Sequence, residues 1–254
     1  MTESALDTAR LAGGLLEQTG GFARAVTGAD PGARVPTCPE WRLLDLVGHI
    51  GRAPRWAAEI VRKGVPLPPP DPREAEALPP GEWAAWLRGG AEELVEAAAE
   101  TGADTEVWTF MGPAPAKFWL CRMLNDLSIH HYDAALTTGA GFEIADDLAA
   151  DAVTEAFELI SFPDSGALSP ALAELRGQGE TLALRPAGMK GWLATRTPDG
   201  VRWKRGDHEA DVVVSGPVRE IMLVLSRRVP PSAGTVELRG DAALLDHLLA
   251  RMAF

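Results

Sequence analysis

The hydrophobic period of this chain changes once along its length, and that change constrains the fold more than any single residue. Up to about residue 160 the apolar residues recur at helical spacing. After Ser161-Phe162-Pro163-Asp164-Ser165-Gly166 they fall in short runs separated by turn residues. A helix buries a stripe and a strand buries a face, so two periods predict two packing units. The chain has 254 residues, enough for one large domain or two ordinary ones with proper cores.

Before the switch the pattern predicts helices over about 4–26, 43–63, 82–100, 116–137 and 146–160. The first carries Ala5, Ala9, Ala12 and Leu16 on one stripe; the second carries Leu43, Leu46, Val47 and Ile50, with His49 beside them. Pro54 is expected to kink or break that second helix. Trp83, Trp86, Leu87 and Leu94 form the apolar side of the third, and Asp146-Asp147 suit the N-terminus of the fifth. Proline-rich residues 63–80 read as an extended connector. The expected architecture for residues 1–162 is therefore an antiparallel bundle of four or five helices. Strand-like runs at 181–185, 191–196, 201–204, 210–214 and 235–239, with helices at 218–228 and 242–252, predict a separate α+β domain over 165–254 built on a small antiparallel sheet.

A formal charge of -12 argues against a nucleic-acid backbone as partner, since counterion release needs clustered Lys and Arg. No basic segment followed by an apolar core opens the sequence, and no apolar run reaches membrane-spanning length. The expectation is a cytoplasmic protein with no membrane partner, in which Cys38 and Cys121 stay reduced.

Asp126 and His130 stand four residues apart, so one helical turn presents a carboxylate and an imidazole on the same face. Such a pair can share a metal ion, but a catalytic zinc usually takes three protein ligands. His49 lies beside the apolar face of the second helix, and facing helices of a bundle build metal sites from such side chains. His49, Asp126 and His130 together would leave coordination positions open. The alternative for His49 is a core histidine hydrogen-bonded to a neighbour. Asp45 repeats the four-residue spacing ahead of His49 and reads as a fourth ligand or as a helix-start hydrogen-bond group. Cys38 is a soft donor or a structural thiol. His131, turned about 100° from His130, is expected to meet substrate or solvent. Asp133 is a candidate acceptor for a ligating imidazole. His208 and His247 read as surface residues.

The run Val35-Pro36-Thr37-Cys38-Pro39-Glu40-Trp41-Arg42-Leu43-Leu44-Asp45-Leu46-Val47-Gly48-His49, the loop from Trp108 to Pro113, and Arg122-Met123 through His130-His131-Tyr132-Asp133 together resemble the mycothiol-dependent maleylpyruvate isomerase family. The resemblance continues through Val218 to Pro230 and Val236 to Leu245. It implies a DinB-like four-helix bundle followed by a C-terminal domain similar to sterol carrier proteins. It also implies metal ligands at His49, Asp126 and His130, with aspartate where the family usually has glutamate. The family's His-Arg-Trp-Asp is His130-His131-Tyr132-Asp133 here, which implies a changed pocket beside the metal. By position Arg227, with Arg228 adjacent, matches an arginine that the family turns towards its active site.

The resemblance implies a divalent ion, zinc, and mycothiol as thiol cosubstrate. Metal coordination deprotonates a thiol. The thiolate would add to the double bond of an electrophilic small molecule, permit rotation and leave, or in a transferase remain as the adduct. The competing readings are a non-catalytic metal- or ligand-binding protein and a metal-dependent hydrolase on the same bundle. Monomer and homodimer are both open.

Overall fold

A computed structural model describes residues 6–70, 78–163 and 165–252. The chain divides into two compact units, Ser4–Ile144 and Ala145–Phe254.

The first unit is helical. Its long helices are α1 (Thr8–Val26), α2 (Leu43–Lys63), α3 (Trp83–Thr101) and α4 (Lys117–Thr138). Asp7 caps α1 by accepting from the backbone N–H of Arg10 at 2.7 Å. Gly64 and Gly139 end α2 and α4 in the left-handed conformation that glycine adopts without a Cβ clash. Each of α1 and α2 packs on both α3 and α4, so the four form one bundle around a shared core. In α2 the buried residues Leu43, Leu46, Val47, Ile50, Ala57, Ala58 and Val61 follow the helical period. The core between helices is aromatic around Trp119, which is fully buried and touches Trp56, Trp108, Phe110 and Phe118.

Pro54 does not break α2, which runs unbroken through it. Proline removes one ladder bond. The turn is held from outside instead: the Arg55 guanidinium donates to the carbonyl of Gly51 at 2.5 Å and to that of Trp86 in α3 at 2.7 Å. Gly51 is needed there, because a Cβ at that position would lie 2.0 Å from the Trp86 ring.

Two short hairpins complete the unit. In one, β1 (Arg34–Val35) pairs with β2 (Cys38–Arg42), and β2 runs directly into α2. In the other, β3 (Glu106–Val107) pairs with β4 (Ala114–Pro115) ahead of α4. Of the expected connector, residues 64–70 and 78–79 carry no regular structure and residues 71–77 lie outside the described residues, as do Ser4 and Ala5 of the expected first helix.

The second unit begins with α5 (Asp146–Ser161), the short α6 (Ser165–Leu168) and a 3₁₀ turn. It continues through β5 (Thr181–Pro186), β6 (Trp192–Thr197), β7 (Gly200–Arg205), β8 (Val212–Gly216), α7 (Val218–Leu225), β9 (Glu237–Gly240) and α8 (Ala242–Arg251). The strands form one sheet of order β7-β6-β5-β8-β9.

Two details differ from the expected arrangement. The fifth helix does not join the bundle: α5 packs on α7 and β7, Phe157 stacks on Trp203, and Trp192 Nε1 donates to Thr154 Oγ1 at 3.1 Å. Its apolar stripe fits either partner, and a helix is needed to cover the sheet face bearing Leu182, Leu184, Trp192, Val212 and Val214. The sheet, moreover, is not wholly antiparallel, because β5 and β8 pair in parallel. Residues 206–211 run back across the opposite face, where Ala210 packs against Ala183, Leu193 and Val213, so β8 starts at the same end as β5.

Candidate metal centre

The first unit brings together residues from three elements. His49 lies two turns into α2, Asp126 and His130 stand one turn apart on α4, and Trp41 closes β2 just before α2 begins. One ligand atom each from His49, Asp126 and His130 lies within 4.8 Å of the others. His49 Nε2 is 3.0 Å from Asp126 Oδ2, while Arg122, one turn earlier on α4, donates from Nη2 to Asp126 Oδ1 at 3.1 Å. A carboxylate can only accept, so in this arrangement His49 carries its proton on Nε2. Burial of Asp126 opposes its ionisation. Its interactions with His49, a hydrogen bond included, and then with His130 and Arg122 outweigh that and hold its carboxyl far below the usual carboxylate range.

His130 is fixed from behind. Its Nδ1–H donates to Asp133 Oδ2 at 2.8 Å, and Thr37 Oγ1 donates to Asp133 Oδ1 at 2.6 Å. Asp133 is fully buried. With the proton placed on Nδ1, Nε2 of His130 keeps its lone pair for a ligand. Trp41 stacks on the His130 ring at 5.8 Å and meets His49 edge-on at 5.3 Å, and the two imidazoles are 5.1 Å apart. Indole and imidazoles thus wall one side of the cluster.

These donors fit a divalent ion of the zinc type. Two N or O ligands at about 2.0–2.1 Å from a tetrahedral zinc are separated by roughly 3.4 Å. The His49–Asp126 separation of 3.0 Å and the 4.8 Å limit on the whole set bracket that value. Asp126 reaches His49 although its side chain is one methylene shorter than glutamate.

The other expected participants lie elsewhere. Asp45 is not in the cluster: its carboxylate accepts the Arg42 backbone N–H at 2.8 Å and pairs with the Arg42 guanidinium at 2.9 Å, closing the start of α2. His131 does not face solvent. It is buried against α1, donates from Nδ1 to Gln18 Oε1 at 2.8 Å, and packs edge-on to Phe142. Burial, with help from Arg24, pushes its imidazole down to about 4. Its difference from the family pattern therefore bears on bundle packing, not on the metal side of α4. Cys38 Sγ lies 4.0 Å from Asp133 Oδ2, behind His130. Arg227 belongs to the second unit, just beyond α7, where it is exposed in a left-handed backbone conformation at φ 61°. Arg228 follows it and bonds the Ser226 carbonyl. His208 and His247 also lie in the second unit and are not part of this cluster. Two contributors escaped the sequence reading: Thr37, which stands there within the family-like run without a role, and Arg122, whose four-residue spacing from Asp126 is the signal that marks an ion pair.

The fold and the cluster define a four-helix bundle with an open three-donor centre, followed by an α+β domain. Residues 13–135 match the mycothiol maleylpyruvate isomerase N-terminal domain family. The match spans the first unit and just under half of the chain. Among solved structures, a mycothiol-dependent maleylpyruvate isomerase superposes with a TM-score of 0.63 at 20% identity, covering 95% of this chain and 98% of that one. A mutant of a mycothiol-dependent maleylpyruvate isomerase with one histidine changed to alanine superposes with a TM-score of 0.62 at 19% identity over the same shares. The fold is thus that of these isomerases across both domains. A UbiJ-SCP2 ubiquinone synthesis protein covers 43% of this chain and 93% of its own with a TM-score of 0.32 at 17% identity, too distant to carry an argument. A search of curated proteins finds no match. Among the described residues no helix is long and apolar enough to cross a membrane.

Proposed function

We propose that the chain is a cytoplasmic, metal-dependent enzyme that uses mycothiol against an electrophilic small molecule, as a cis-trans isomerase of the maleylpyruvate type or as a thiol S-transferase. The observation that supports this reading best is the convergence of His49, Asp126 and His130 within 4.8 Å on facing helices. A divalent ion held by these residues, zinc in this proposal, supplies a Lewis acid that keeps a bound thiol as thiolate at neutral pH.

The chain's own residues prepare for that ion. Asp133 holds the proton of His130 on Nδ1 and so presents Nε2. Arg122 engages one oxygen of Asp126 and leaves the other towards His49. Trp41 excludes water from one side of the two imidazoles. Arg227, with its planar fork of donors, is the proposed partner of a substrate carboxylate. The second domain is read as sterol-carrier-protein-like within the same proposal.

The test is metal content followed by cobalt substitution. One equivalent of metal per chain, with visible cobalt bands that shift on adding mycothiol, supports the reading. Protein that neither retains nor takes up zinc refutes it. Bound cobalt that ignores the thiol would favour a hydrolase.

A further inference from the structure

His130 belongs to two ligand sets. Besides its place with His49 and Asp126, one of its nitrogens lies within 4.8 Å of both Cys38 Sγ and a carboxylate oxygen of Asp133. The second set sits on the Nδ1 side: His130 Nδ1 is 2.8 Å from Asp133 Oδ2, and Cys38 Sγ is 4.0 Å from the same oxygen. For a tetrahedral ion with sulfur at about 2.3 Å and oxygen at about 2.1 Å, the sulfur–oxygen edge is roughly 3.6 Å. Closing that set therefore asks for only a small turn of Cys38. Thr37 already holds the other oxygen of Asp133 at 2.6 Å and fixes the carboxylate's direction.

The two sets differ in chemistry. His49, Asp126 and His130 offer two nitrogens and one anionic oxygen. Cys38, His130 and Asp133 offer a thiolate, a nitrogen and a carboxylate, whose two negative charges neutralise a divalent ion. Charge neutrality favours the second set, because Asp133 is fully buried and an uncompensated ion there is costly. A thiolate selects soft ions.

We propose that Cys38, His130 Nδ1 and Asp133 form a separate site for a thiophilic divalent cation, alternative to the site at His49. Binding would release the Cys38 thiol proton to solvent, and the proton on His130 would move from Nδ1 to Nε2. A neutral imidazole has one lone pair, so a soft ion at Cys38 withdraws His130 from the other set. That last consequence rests on the function proposed above; the site itself does not.

The full-length protein, freed of metal by a chelator and kept reduced, is titrated with cadmium chloride while the near-ultraviolet thiolate-to-cadmium absorption is followed. The wild type should gain the band at one equivalent. Cys38→Ser should lose the band and at least tenfold in cadmium affinity, and His49→Ala should keep both. Cys38→Ala serves as a second variant, with circular dichroism as the check on folding. Cadmium bound without the band in the wild type, or a band that survives removal of Cys38, overturns the proposal, the latter result pointing to Cys121. Zinc titration of the same variants separates the two readings. If His49→Ala binds zinc as tightly as the wild type, the His49 reading fails while the Cys38 site stands. If zinc is lost there and cadmium follows it, the Cys38 site fails.

Discussion

Asp133 stands outside the His49, Asp126 and His130 donor set, yet its removal should be felt at both the fold and that metal centre. The carboxylate is fully buried and accepts from Thr37 Oγ1 at 2.6 Å and from His130 Nδ1 at 2.8 Å. Asp133→Ala leaves two polar groups without that acceptor, each worth about 1–3 kcal/mol. The metal-free protein should lose about 2–6 kcal/mol on this count. Asp133→Asn keeps the shape: its carbonyl can accept from His130 and its amide can donate to the Thr37 hydroxyl, replacing charge-assisted bonds by neutral ones of about half the strength. Removing such an outer partner of a ligating histidine costs roughly 10–100-fold in metal affinity. Asp133→Asn is expected near the lower figure and Asp133→Ala near the upper. Zinc competition against a chromophoric chelator measures the affinities, and denaturant unfolding in chelator measures the stability separately. Zinc affinity within twofold of wild type in Asp133→Ala, with stability reduced, would refute the reasoning and leave Asp133 a structural group only.

Gly21→Ala places a Cβ 2.3 Å from the buried His131 ring, so unfolding should show a loss of about 1–3 kcal/mol while zinc affinity stays unchanged. Asp45 is held below its ordinary value, chiefly by hydrogen bonding to Arg42 and against some burial. A depressed carboxyl stabilises the fold above its unfolded value of about 3.8 and loses that contribution as pH falls through the lower folded value. Asp45→Asn should therefore be less stable at neutral pH by about 1 kcal/mol, given the half-exposed Arg42, and the difference should close below about pH 4 in paired unfolding curves. Zinc at 100 times its Kd should add about 2.7 kcal/mol to the wild type, read as a rise in Tm, and His49→Ala should show a smaller rise at the same zinc concentration.

The four bundle helices were legible because each carries an unbroken apolar period, with positions such as Leu46, Ile50, Leu87 and Leu94 buried where the pattern puts them. Helix α5 was legible as a helix but not as a partner. Its stripe of Leu148, Ala152, Val153, Phe157 and Ile160 states that it must be covered, not by what. The parallel pairing of β5 and β8 was hidden for a related reason. Local alternation fixes which face of a strand is buried, whereas strand direction follows from the path of residues 206–211 across the sheet.

At the candidate centre, spacing found the Asp126 and His130 pair, while bundle geometry proposed His49 and resemblance then pointed to the same residue. Neither shows how α4 divides its functions. Consecutive residues on a helix diverge by about 100°, so His130 faces the cluster while His131 faces α1, and a change at His131 alters the bundle rather than the pocket. Asp126 and Asp133 are both carboxylates on α4, and composition cannot separate them. Their surroundings do: Asp126 shares its charge between His49 and Arg122, as a group awaiting a ligand would, whereas Asp133 is sealed behind His130 by Thr37. The β1–β2 hairpin carries this distinction, because it delivers Thr37 and Cys38 to one side of His130 and Trp41 to its ring face. A one-residue slip of β2 would exchange those sides. Its register, not only the helix pair, therefore decides which nitrogen of His130 is presented to an ion.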